Sequence, residues 1–100
     1  MKYVLQWTTR SRGSGQENLA TMKRSLEVFS KWTPSATMLQ FVSRVDGRGG
    51  FAVAETDDPT ALAKDCAIFS PFLDFELYPV LDIQEGAATL QAAVDYNESR

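Results

Sequence analysis

A chain of 100 residues with 44% apolar and 23% charged side chains has the length and composition of one globular domain, spanning residues 1–100, with one compact core and little interior for a large cavity. Ten basic and thirteen acidic residues give a net charge of −3, and no basic stripe interleaves with aromatics, so nucleic acid is not an expected partner. There is no histidine, which excludes Ser-His-Asp and Cys-His catalysis, histidine acid–base work and histidine-ligated haem, zinc or iron.

Cys66 is the only cysteine. It can form neither an internal disulfide nor a thiol cluster for a metal, so no metal site and no cofactor is expected. A reducing cytoplasm suits such a chain. No apolar run approaches the roughly 20 residues of a membrane span, and the N-terminus opens into a strand-like segment without a signal-peptide pattern. The expectation is a cytoplasmic protein with no membrane partner.

Lys2 to Thr9, rich in β-branched and aromatic residues, reads as a first strand, and Arg10 to Gly15 as a turn. Arg10 and Arg12 there, like Lys23 and Arg24 further on, read as solvated charges; anion binding by the Arg10–Gly15 loop is the weaker alternative. Ser14 and Glu17 fit a capping box. Leu19, Met22, Leu26 and Phe29 then recur at helical spacing, with Trp32 one turn on, giving a helix over about residues 16–32 that Thr33-Pro34 ends. Met38 to Val45 and Phe51 to Thr56 read as an antiparallel hairpin across the glycine-dense Asp46–Gly50. Asp58 and Pro59 start a second helix to Phe69, with Leu62, Cys66 and Phe69 on its apolar stripe.

Phe72 to Leu81 is a fourth strand whose Pro79 belongs at a sheet edge. Asp82 and Glu85 suggest a second capping box, and Ile83, Ala87, Leu90 and Val94 give a third helix over about residues 83–96. The order βαββαβ predicts an α+β, ferredoxin-like fold: a four-stranded antiparallel sheet plus a C-terminal helix.

Neither parity of strand residues is cleanly polar. Val4, Val42, Phe51 and Val53 fall in one set; Tyr3, Leu5, Leu39, Phe41 and Phe75 fall in the other. Two half-apolar faces predict that both are covered. A second copy, sheet to sheet about a two-fold axis, is the expected cover; a monomer with the third helix folded over the open face is the alternative.

The opening MKYVLQWTTR, the SKWTPSA helix exit, the DGRGGFAVAETDDP hairpin with its helix start, and FELYPVLDIQEG resemble a bacterial domain-of-unknown-function family of short proteins within the dimeric α+β barrel superfamily. That superfamily includes cofactor-free monooxygenases, lactone isomerases and haem proteins, often with a pocket between sheet and helices. The resemblance implies a cofactor-independent enzyme, monooxygenase- or isomerase-like, acting on a small molecule in such a pocket. A non-catalytic small-molecule-binding protein and a dimeric interaction module with no ligand stay open beside it. The missing histidine leaves the superfamily's histidine roles no position in this chain.

Strand alternation gathers Gln6, Gln40, Arg44, Glu55, Glu76 and Tyr78 as a candidate ligand-binding face, with Glu76, between apolar neighbours, as the acid to test first. A carboxylate there acts as a base only if burial raises its pKa; an Arg44–carboxylate pair in a dimer seam is the competing reading. Trp7, Trp32 and Tyr78 read as core aromatics, or as the lining of an aromatic pocket. Cys66 reads as a buried inert thiol.

Overall fold

The structure is a computed structural model that describes residues 1–10 and 13–99. Seven elements follow in order: β1 (Lys2–Thr9), α1 (Gly15–Lys31), β2 (Thr37–Ser43), β3 (Gly49–Glu55), α2 (Pro59–Phe69), β4 (Leu73–Val80) and α3 (Ile83–Glu98). The strands form one antiparallel sheet in the order β2-β3-β1-β4, the ferredoxin-like arrangement expected from the element order. Pro79 sits on the edge strand β4, where a missing N–H leaves no ladder bond unmade.

Helix starts follow the side chains. Ser14 Oγ accepts from Glu17 N at 3.2 Å, and Asp58 Oδ1 accepts from Thr60 N at 3.0 Å. The expected cap at Asp82 is corrected: its carboxylate makes no cap hydrogen bond and instead takes Lys2 Nζ at 2.5 Å. An ammonium within reach outcompetes a backbone N–H for an exposed carboxylate. In the β2–β3 hairpin, Asp46 accepts from Arg48 N at 3.0 Å and from the Arg44 guanidinium, while Gly47 takes the positive φ of +73° that the turn needs. The Arg48 N–H, helped by Arg44, holds the Asp46 carboxyl below its ordinary range.

Register fixes the faces. Leu5 pairs with Ala52 and Leu77, and Trp7 with Gly50 and Phe75. Odd positions of β1 and β4 and even positions of β3 therefore face the helices. Tyr3, Leu5, Ala52, Ala54, Leu62 and Ala36 form the buried core, with Trp7, Met38 and Cys66 packed against it. A register shift between Met38 and Gln40 places Leu39 at a bulge, so Phe41 faces the helices and Val42 the other side. Val4, Val42, Phe51 and Val53 share the helix-free face, and Val42 and Phe51 are 50% and 41% exposed there.

Two helices do not close as their sequence suggests. The α1 stripe is not buried: Leu19, Met22, Leu26 and Phe29 are 64%, 59%, 63% and 49% exposed. The half-buried positions of α1 are Asn18, Thr21, Ser25 and Val28. In α3 every residue except Gly86 is exposed.

Candidate functional site

Small residues on the central strand β3 set the floor of a cavity. Gly50 lies under the Trp7 indole, and a Cβ there would stand 2.3 Å from Trp7 Cζ2. Ala52 and Ala54 continue the low floor along the strand. Over it stands α1, whose half-buried positions are Asn18, Thr21, Ser25 and Val28, while Met22, Leu26 and Phe29 of its largely exposed stripe also line the cavity. The space between measures about 640 Å³, within the range of small-molecule sites. It exceeds what a chain of this length leads one to expect.

Aromatic rings make its wall. Trp7 meets Phe41 edge-on at 5.3 Å between centroids, and Trp32 meets Phe69 at 5.1 Å and Phe41 at 6.1 Å in the same geometry. Phe29 joins from α1, 6.0 Å from both Trp32 and Phe41. Edge-to-face pairs each add about 1 kcal/mol beyond area burial and fix ring orientation. Trp7 and Trp32 thus face a cavity as well as packing, while Tyr78 lies on the opposite side of the sheet. The polar groups on the wall are few: Asn18, Thr21 and Ser25 on α1, Arg10 and Thr9 at one end, Ser43 on β2 and Asp65 on α2.

Asp65 is only 3% exposed. Its carboxylate accepts from Trp32 Nε1 at 3.2 Å and from Ser35 N at 3.2 and 3.0 Å through its two oxygens. It ties the exit of α1 to α2 and sets the Trp32 indole in the wall. Sequence reasoning missed it. The signal was a lone acid at the i+3 position inside the Leu62–Cys66–Phe69 stripe, where an acid persists only if it finds donors. Beside it, burial and the Asp65 charge push the Cys66 thiol above its ordinary value, which disfavours the nucleophilic thiolate. At the far end Arg10 pairs with Asp74, Nε to Oδ1 2.9 Å.

The six candidate residues lie elsewhere. Gln6, Gln40, Glu55, Glu76 and Tyr78 occupy helix-free-face positions, and none of the six lines the cavity. Gln6 and Glu76 are cross-strand partners, and the Tyr78 hydroxyl donates to Glu76 Oε2. That hydrogen bond and the Glu76 charge raise the Tyr78 hydroxyl's pKa. Glu55 pairs with Lys2 and Thr37 at the other end of the sheet. Arg44 lies past the end of β2, bound to Asp46 in the hairpin. The structure thus brings together Gln6, Glu76 and Tyr78 and separates Glu55 and Arg44 from them. The Arg10–Gly15 loop falls partly outside the described residues at Ser11 and Arg12. Among the described residues no three His, Cys, Asp or Glu side chains converge as a metal would require, and no helix is long and apolar enough to cross a membrane.

A family model described as a domain of unknown function, DUF3303, matches residues 1–94. No curated protein matches the chain. Among solved structures the chain is similar to SnoaB, a cofactor-independent oxygenase from Streptomyces nogalater, at 14% identity and a TM-score of 0.33, covering 81% of this chain and 92% of that one.

Proposed function

The chain belongs to the DUF3303 family, and we propose that it is a homodimeric small-molecule-binding protein whose sheet–helix cavity takes a neutral, largely aromatic ligand with one hydrogen-bonding edge. The observation that carries this is the cavity itself: about 640 Å³, walled by Trp7, Phe29, Trp32, Phe41 and Phe69. A flat ring system gains stacking and edge contacts on that wall, while Asn18, Thr21 and Ser25 offer neutral hydrogen bonds from α1. A charged ligand loses its hydration there without a full counter-charge.

Turnover without a cofactor, the reading implied by the resemblance, needs a proton acceptor at the ligand. Asp65 is the carboxylate on the cavity wall, and its oxygens already accept from Trp32 and Ser35. Glu76 faces away from the cavity. Binding is therefore favoured over catalysis. The second copy covers the helix-free face, where Val4, Val42, Phe51 and Val53 alternate with Gln6, Glu76 and Tyr78. The single cysteine fits a cytoplasmic setting.

The test uses N-phenyl-1-naphthylamine, a neutral aromatic probe whose emission rises in apolar surroundings. Saturable uptake of one probe per chain is expected. Ser25→Trp, which fills the cavity from a half-buried α1 position, abolishes it while the protein stays folded by circular dichroism. Equal uptake by the folded variant contradicts the proposal.

A further inference from the structure

We propose that the groove between the C-terminal half of α1 and α2 is a second binding site, one that takes a small organic phosphomonoester. It is distinct from the aromatic cavity and does not rest on the reading above. α1 brings Arg24 and Lys31 to the groove, and α2 brings Lys64. Among the described residues, Glu27 is the one carboxylate lining it, and Arg24 engages it, its guanidinium donating to Glu27 Oε2 at 3.2 Å. Three cations against one carboxylate leave a charge of +2 in the groove of a chain whose net charge is −3. Glu27 stands four residues before Lys31, the spacing of a helical ion pair. Yet among the described residues neither Lys31 nor Lys64 enters an ion pair. A base in the last turn suits the end of α1, but that argument does not bring Lys64 of α2 beside it.

Charges of one sign in a concave site focus their field on a counter-ion. The charge count selects the class. A phosphate monoester carries about −1.5 to −2 at pH 7, which matches two free ammonium groups, whereas a carboxylate matches one. The hydroxyls of Thr33 and Ser35 lie in the same groove and can donate to phosphate oxygens beside the lysines. The rest of the ligand is apolar. Val28, Ile68 and Trp32, each half-buried, give the groove its apolar surface, and its volume of about 370 Å³ lies at the small end of ligand sites. Trp32 joins the two sites. It lines both the groove and the cavity, while Asp65, which lines the cavity alone, accepts from its Nε1 and from Ser35 N. An occupant of the groove therefore rests against the same residue that walls the cavity.

The experiment titrates the nitrogen-15-labelled wild-type protein with phenyl phosphate at pH 7 and low salt, and follows the amide NMR signals. Saturable shifts are expected at Lys31, Ser35, Lys64 and the Trp32 indole N–H, while Asn18 and Thr21 on the cavity wall stay in place. Lys31→Gln with Lys64→Gln should weaken binding roughly tenfold or more, the scale of one charge-assisted bond. Both lysines are exposed, and circular dichroism checks that the double variant is folded. Inorganic phosphate and phenol, each half of the probe, should both bind more weakly than the ester. Absence of a saturable shift, or equal affinity in the folded double variant, overturns the proposal. Shifts centred on Asn18 and Thr21 assign the ester to the cavity and likewise overturn it. Inorganic phosphate bound as tightly as the ester removes the organic body from the claim, and phenol bound as tightly removes the anion; either result overturns it.

Discussion

Asp65 decides whether the aromatic wall keeps its shape. Its removal takes the acceptor from the half-buried Trp32 N–H and from the Ser35 N–H, and charge-assisted bonds of this kind are each worth about 1.5–3 kcal/mol. Asp65→Ala should therefore lower stability in urea unfolding by about 3 kcal/mol, while Asp65→Asn, which keeps an acceptor oxygen, should cost about 1 kcal/mol. Equal losses would mean that the carboxylate acts by filling space. Cys66 gives a pH prediction. Its folded thiol pKa is raised, so the folded protein keeps the proton to higher pH than the unfolded chain. Any stability from this is intact below the unfolded thiol's pKa of about 8.5 and declines as pH rises through the folded value. At pH 8 the thiol should react with an aromatic disulfide reagent more slowly in the folded protein than in urea. Legibility at this scale was uneven. The caps at Ser14 and Asp58 could be read because they act locally. Asp65 could not, because its donors lie 30 and 33 positions away, and helical spacing carries no such information.

The elements themselves were legible. Glycine, proline and aspartate mark their ends, and their order determines the sheet. Asp58→Ala should cost about 1 kcal/mol, the usual value of an N-cap side chain, measured by thermal or urea unfolding. Gly50→Ala brings a methyl group to 2.3 Å from the Trp7 ring and from the Val42 carbonyl oxygen. It should displace the indole and shift Trp7 emission, even where the hairpin survives. What periodicity could not supply is the rotation of α1. A stripe at three- and four-residue spacing says that one face is apolar, not that it reaches the sheet. Here the half-buried positions of α1 are Asn18, Thr21, Ser25 and Val28, and the stripe stays largely exposed while Met22, Leu26 and Phe29 reach the cavity. The candidate polar residues suffered a related ambiguity. Strand alternation grouped Gln6, Glu76 and Tyr78 on one face, but only helix placement says which face holds a cavity.

For the whole molecule, the helix-free sheet face is where the proposed second copy would sit. Phe51→Glu places a charge among Val4, Val42 and Val53 and should turn a dimer into a monomer by light scattering; a dimer unaffected by it would move the interface elsewhere. The cavity claim has a built-in reporter, because the chain holds two tryptophans, and both Trp7 and Trp32 line the cavity. The direct measurement is indole emission during titration with N-phenyl-1-naphthylamine, in the wild type and in Trp7→Phe and Trp32→Phe. Transfer from each tryptophan to the bound probe, with one midpoint shared by both single variants, is the predicted result. Saturable probe binding that leaves both indoles unquenched would place the ligand outside the cavity and contradict the account.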